Sequence, residues 1–103
     1  MEIIKIHIEK IRDCLAWITN SNKRNLEFRN ACIKSNMSFR TFALDMPVRW
    51  NNTYLMLDSC LPYANLISYF VANNRGPHYL VENDWHIAKK FHSFLKIFYQ
   101  STL

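Results

Sequence analysis

A chain of 103 residues is at most one small domain, able to bury roughly 60 to 70% of the surface its unfolded form exposes. Half of the residues are hydrophobic and 15% aromatic, which sets the chain against disorder, while one glycine and three prolines leave little material for hairpins and tilt the class toward helix. The net charge is +5, and the stretch from Lys23 to Arg49 alone carries +4, from six basic residues (Lys23, Arg24, Arg29, Lys34, Arg40, Arg49) against Glu27 and Asp45; this is either a surface that attracts phosphates or an ordinary solvated face.

The reading is mainly α: about four helices and at most one short strand. In the first helix Ile4, Ile8, Ile11, Leu15 and Ile18 fall on one face. Thr19 to Asn22 ends it, and Ser21 is a candidate N-cap for a second helix over about Asn22 to Lys34. That helix offers Leu26, Ala31 and Ile33 on one side, with Phe28 and Cys32 beside them. After a polar break at Ser35 to Ser38, the segment Phe39 to Leu44 alternates like a strand whose sheet partners would sit outside this chain.

A third helix begins near Asn51 or Asn52, either of which could cap it. It sets Tyr54, Leu57, Leu61 and Ala64 in one row, and Met56, Cys60, Tyr63, Ile67 and Phe70 in another. Pro62 removes a backbone hydrogen bond inside this stretch, so the helix is kinked or split there. Asn73 to His78 is a loop. The last helix runs from about Asn83 to Gln100, with Trp85, Ala88, His92, Leu95 and Tyr99 in one row and Ile87, Phe91, Phe94 and Phe98 in the next. Trp85 and the phenylalanines read as core.

Little here suggests chemistry. The four histidines and three cysteines include no C-x2-C or H-x3–5-H pair, so no metal site is expected. Cys14, Cys32 and Cys60 fall on apolar helical positions and read as buried, reduced thiols of an intracellular protein. Gly76 alone cannot make a phosphate-cradling loop, and no serine or cysteine lies in a nucleophile turn, so neither a cofactor nor a small-molecule substrate is expected. No run approaches ~18 consecutive apolar residues, so no membrane span is expected.

The segment Leu44 to Leu57, LDMPVRWNNTYLML, sets Arg49 and Trp50 between a proline and a helix start. Around it stand Ile11-Arg12, Ser21 and Arg24, Phe28 and Cys32, then Asp84-Trp85, Ala88-Lys89 and the ending FLKIFYQST. In order and spacing these residues resemble the hAT-type transposases, specifically the plant Ricesleeper-like, zinc finger BED domain-containing group, over Ile11 to Thr102. The match departs at Val48 (usually Thr), Asn52 (usually Ser) and Pro62 (usually not proline).

The resemblance implies an internal piece of a larger enzyme: residues 1–45 as part of a ribonuclease-H-like core, and 46–103 as the start of a helical insertion domain. The family's two-metal phosphoryl transfer needs three converging carboxylates. None of Asp45, Asp58, Glu82 and Asp84 matches those positions, so no catalytic residue is assigned and the chain alone is expected to be no enzyme. The family's zinc finger is also absent from it.

Nucleic-acid contact is expected at Arg49, Trp50 and Asn51. In the family the corresponding tryptophan stacks on a base displaced from the duplex, and a neighbouring arginine can hold a phosphate. Without the resemblance, Trp50 reads as a plug between strand and helix. The implied function is a truncated, catalytically inactive transposase-derived protein whose region contributes to binding and positioning transposon ends, with weak DNA binding of its own and a nuclear location. The alternatives are a helical interaction module that forms homo-oligomers, or a gene relic without function.

Overall fold

The computed structural model describes residues 2–39, 41–43 and 50–101, with the backbone alone for Glu2, Trp50, Asn51 and Ser101. Among the described residues there are five α-helices: α1 (Glu2–Thr19), α2 (Asn22–Lys34), α3 (Trp50–Cys60), α4 (Ala64–Asn73) and α5 (Glu82–Ser101). A short 3-10 turn over Leu61–Tyr63 joins α3 to α4. The expectation of a mainly helical chain holds, and the helix containing Pro62 is split where the missing N–H forces it.

Helix α1 forms as its periodicity dictates, with Ile8, Ile11, Leu15 and Ile18 buried along one face and Cys14 beside them. Ser21 caps α2 by accepting a hydrogen bond from the Arg24 N–H at 3.2 Å. Of the two apolar sides of α2, the buried one is Phe28 and Cys32; Leu26 and Ile33 are more than half exposed. All three cysteines are buried and none is in a disulfide, and burial pushes the Cys14 thiol up to about 11.

The expected strand is not found among the described residues of Phe39 to Leu44. Among the described residues no strand occurs, and 41–43 form irregular backbone. Phe39 and Phe42 do not point to opposite faces. Both rings meet Phe28, at 5.1 and 5.4 Å between centroids, and Phe28 meets Phe70 of α4 at 5.5 Å. The side chains that resembled a strand instead anchor a connection onto the helices. Its backbone is tied by the Ala43 N–H to Ser59 Oγ at 3.0 Å, and by the Tyr63 hydroxyl donating to the Ser38 carbonyl.

Trp50, Asn51 and Asn52 all lie within α3, so neither asparagine stands ahead of the helix as a cap. The stretch Asn52–Asn73 spans 22 residues and contains an 18-residue window with a mean hydropathy of 1.2, long and apolar enough by length and composition to cross a membrane. Counting consecutive apolar residues missed this. In this fold its apolar row is internal: Met56, Leu57, Cys60, Ile67 and Val71 are all buried. Between α4 and α5, the Gly76 N–H donates to the Val71 carbonyl at 2.9 Å. A side chain at Gly76 would run into the Val71 methyl, so only glycine allows this approach.

Helix α5 packs against both α1 and α3 and is the centre of the fold. Trp85, Ala88, Phe91 and Leu95 are buried as expected, whereas Phe94 and Phe98 are exposed.

Candidate nucleic-acid interface

The residues singled out for DNA contact lie at the start of α3. Arg49 is outside the described residues, as are Arg40 and Asp45. Trp50 and Asn51 are the first two residues of α3, and nothing is described of their side chains. The next turns of α3 are well defined. Thr53 is fully buried, and the Tyr54 ring lies stacked between His92 and Tyr99 of α5, at 4.8 Å and 4.6 Å between centroids. The His92 ring is held in turn by Asp58, with Nε2 to Oδ1 at 3.0 Å. Trp50 therefore stands one helical turn ahead of a rigid three-ring stack. The first described turn of α3 carries no acidic residue.

The basic stretch is divided in its uses. Lys23, Arg29 and Lys34 are exposed on α2. Arg24 is engaged in the fold: its Nε–H donates to the Trp17 carbonyl at 2.7 Å, and its guanidinium lies 4.5 Å over the Trp17 ring. The sequence made no distinction among these residues, and the cation–π contact with the preceding helix is what separates them.

Two of the four candidate carboxylates, Asp58 and Asp84, have structural partners. Asp58 holds His92, and Asp84 is fully buried where α5 meets α1. One Asp84 oxygen accepts from His7 Nδ1 at 2.6 Å; the other accepts from Lys10 Nζ at 2.7 Å and from the Val81 N–H at 2.8 Å. Burial alone would push this carboxyl up, but the bonds from Lys10, Val81 and His7 outweigh it and hold Asp84 below the ordinary carboxylate value. The Val81 bond is half of a capping box, with Asp84 three residues past the cap. That spacing was the signal in the sequence. Among the described residues no group of three or more His, Cys, Asp or Glu side chains is arranged to hold a metal ion.

The profile of the ZBED1 RNase-like helical domain matches residues 1–94. Zinc finger BED domain-containing protein RICESLEEPER 2 of Oryza sativa subsp. japonica is 30% identical over 106 residues, which take in 96% of this chain. The chain spans 14% of that relative's length. No solved structure matches it significantly. The resemblance to hAT-type, Ricesleeper-like proteins thus has support from a family profile and from a curated relative, and the profile covers α1 to α4 and most of α5. The chain belongs to the ZBED1 RNase-like helical domain family.

Proposed function

We propose that the start of α3 is a DNA contact, with Trp50 as a stacking surface for an unpaired base and with Arg49 and Asn51 on the adjoining phosphates. The observation that carries this reading is the place of Trp50: it lies in α3, after a basic stretch of the sequence and one turn before the His92–Tyr54–Tyr99 stack. A base taken out of the duplex needs an aromatic surface held still, worth ~1–3 kcal/mol per stacked base. In a longer transposase-related protein this region would help bind and position transposon ends in the nucleus, residues 1–45 serving with a ribonuclease-H-like core and 46–103 beginning a helical insertion. The carboxylates for strand cleavage would come from elsewhere, and this chain alone would be catalytically silent.

The test is an anisotropy titration of a labelled duplex with a single-stranded flap, at two salt concentrations. Trp50→Ala is expected to weaken binding by about tenfold, within the range set by base stacking. Arg49→Ala is expected to weaken it at low salt and to reduce the salt slope by about one. Unaltered binding in both variants would return Trp50 to the role of a plug at the helix start.

A second reading has its own observation. Phe94, Ile97 and Phe98 are each more than half exposed on α5, beside an apolar groove of about 330 Å³ lined by Ile4, Ile87, Lys90, Phe91 and Phe94. This face suits a homo-oligomer or another apolar partner. Association through it would persist at high salt, where contact with phosphates weakens steeply.

A further inference from the structure

A cleft of about 410 Å³ opens between α4 and the first turns of α5, lined by Ala64, Asn65, Ser68, Leu80, Glu82, Trp85, His86 and Lys89. Its floor is fixed. The Trp85 Nε1–H donates to Ser68 Oγ at 2.6 Å, and the neighbouring Asp84 ties the same helical turn to Lys10 and His7 of α1. Its rim is free to meet a ligand, because Asn65, Glu82, His86 and Lys89 are all exposed. The volume falls within the range of sites that enclose one small organic ligand.

The rim chemistry narrows what that ligand is. Lys89 offers only donors and a positive charge, and Glu82 when ionised offers only acceptors. Asn65 offers both, and the His86 ring can do either. A simple anion would be drawn by Lys89 and repelled by Glu82. A plain cation would meet the reverse. The rim is complementary to a group that carries a negative charge at one end and N–H donors at the other. A nucleotide with an exocyclic amine has that form: its phosphate suits Lys89, and its amino group suits Glu82 and Asn65, as carboxylates accept from cytosine and amides pair with adenine. Thymine has no such amine.

We infer that the α4–α5 cleft holds one unpaired nucleotide of a DNA strand whose base carries an exocyclic amine, with Lys89 on the phosphate and Glu82 and Asn65 on the base edge. This goes beyond the contact at the start of α3 and rests on that reading for the identity of the polymer. The two places are compatible with one strand. The stretch from Trp50 to Asn65 is broken at Pro62, so its two ends stand at most about 24 Å apart, within the reach of about seven nucleotides at the 3.4 Å spacing of a stacked strand. Glu82 takes the role of selecting the base, and Lys89 binds without regard to sequence.

The experiment titrates the 103-residue chain with labelled short single strands of deoxycytidine, deoxyadenosine or thymidine, at two salt concentrations. The wild type is expected to prefer the cytidine and adenosine strands over thymidine by about fivefold, the low end of what one base-edge pair supplies. Lys89→Ala should weaken all three strands alike and reduce the salt slope by about one. Glu82→Gln removes the repelling charge and adds a donor, so thymidine binding should rise and the preference should collapse. Both side chains are exposed, so far-ultraviolet circular dichroism of both variants should match the wild type. If Trp50→Ala weakens binding while Lys89→Ala and Glu82→Gln change neither affinity nor preference, the cleft assignment is wrong and the α3 reading stands. If the cleft variants behave as expected and Trp50→Ala has no effect, the assignment stands and the α3 reading fails. Absence of any binding overturns both.

Discussion

Asp84→Ala is expected to remove about 3–5 kcal/mol of unfolding free energy, read from urea unfolding followed by tryptophan fluorescence and far-ultraviolet circular dichroism. A domain of this size has roughly 5–15 kcal/mol in total, so the variant would stand near the edge of folding. The magnitude reflects the groups left behind. Asp84 is fully buried and accepts from Lys10 Nζ, His7 Nδ1 and the Val81 N–H. Its removal strands a part-buried ammonium on α1 and an N-terminal donor of α5 together. Asp84→Asn can still accept from Val81 but turns a donor toward His7 or Lys10, and should lie between wild type and alanine. A loss below about 1 kcal/mol for the alanine variant would mean that the network is dispensable and that apolar packing alone joins α1 to α5.

The same network sets an acid limit on stability. The folded Asp84 has its pKa below the ordinary carboxylate value, and the unfolded one returns to about 3.9. The unfolded state therefore binds the proton more readily. The stabilisation is fully present above the unfolded value and is lost as pH falls through the folded one. Urea midpoints of the wild type should drop below about pH 4, and the Asp84→Ala variant should lose less over the same interval. Equal acid slopes would place the acid sensitivity on other carboxylates.

Where a rule acts within one helix, the sequence was readable. The isoleucine and leucine spacing of α1 marks its buried face, Ser21 marks the start of α2, and Pro62 breaks the helix that carries it. Helix α2 was ambiguous for a physical reason. Its few apolar residues spread around the wheel, and the rings of Phe39, Phe42 and Phe70 decide that Phe28 turns inward while Leu26 and Ile33 do not. The Asp84 partners lie 74 and 77 residues away in the chain, beyond any local pattern, although the half capping box at Val81 was within reach. At the candidate site, the aromatic and basic identities of Trp50 and Arg49 drew attention, but the support behind them did not. Tyr54 stacks on His92 and Tyr99 only because α3 and α5 run side by side, and the α4–α5 cleft depends on the same tertiary arrangement.

Phe28→Ala is expected to cost about 3–5 kcal/mol, the usual range for emptying a buried phenylalanine site. Phe28 has no exposed surface and packs edge-on to Phe39 and Phe70. It joins three parts of the chain that are distant in sequence: α2, α4 and the connection that carries Phe39 and Phe42. That connection has no ladder of backbone hydrogen bonds among the described residues, so ring contacts carry much of its attachment. Two outcomes are therefore expected together. Urea unfolding should show the loss of stability, and the backbone amides of Thr41, Phe42 and Ala43 should exchange with solvent faster than in the wild type even under native conditions. Phe98→Ala, at an exposed phenylalanine, supplies the comparison and should stay within about 0.5 kcal/mol of wild type. If Phe28→Ala instead behaves like Phe98→Ala, the aromatic cluster does not hold this segment, and the strand-like alternation of Phe39 to Leu44 again calls for a sheet supplied from outside this chain. A large loss with accelerated exchange means the alternation serves helical packing, and the chain up to α3 is anchored by its own core.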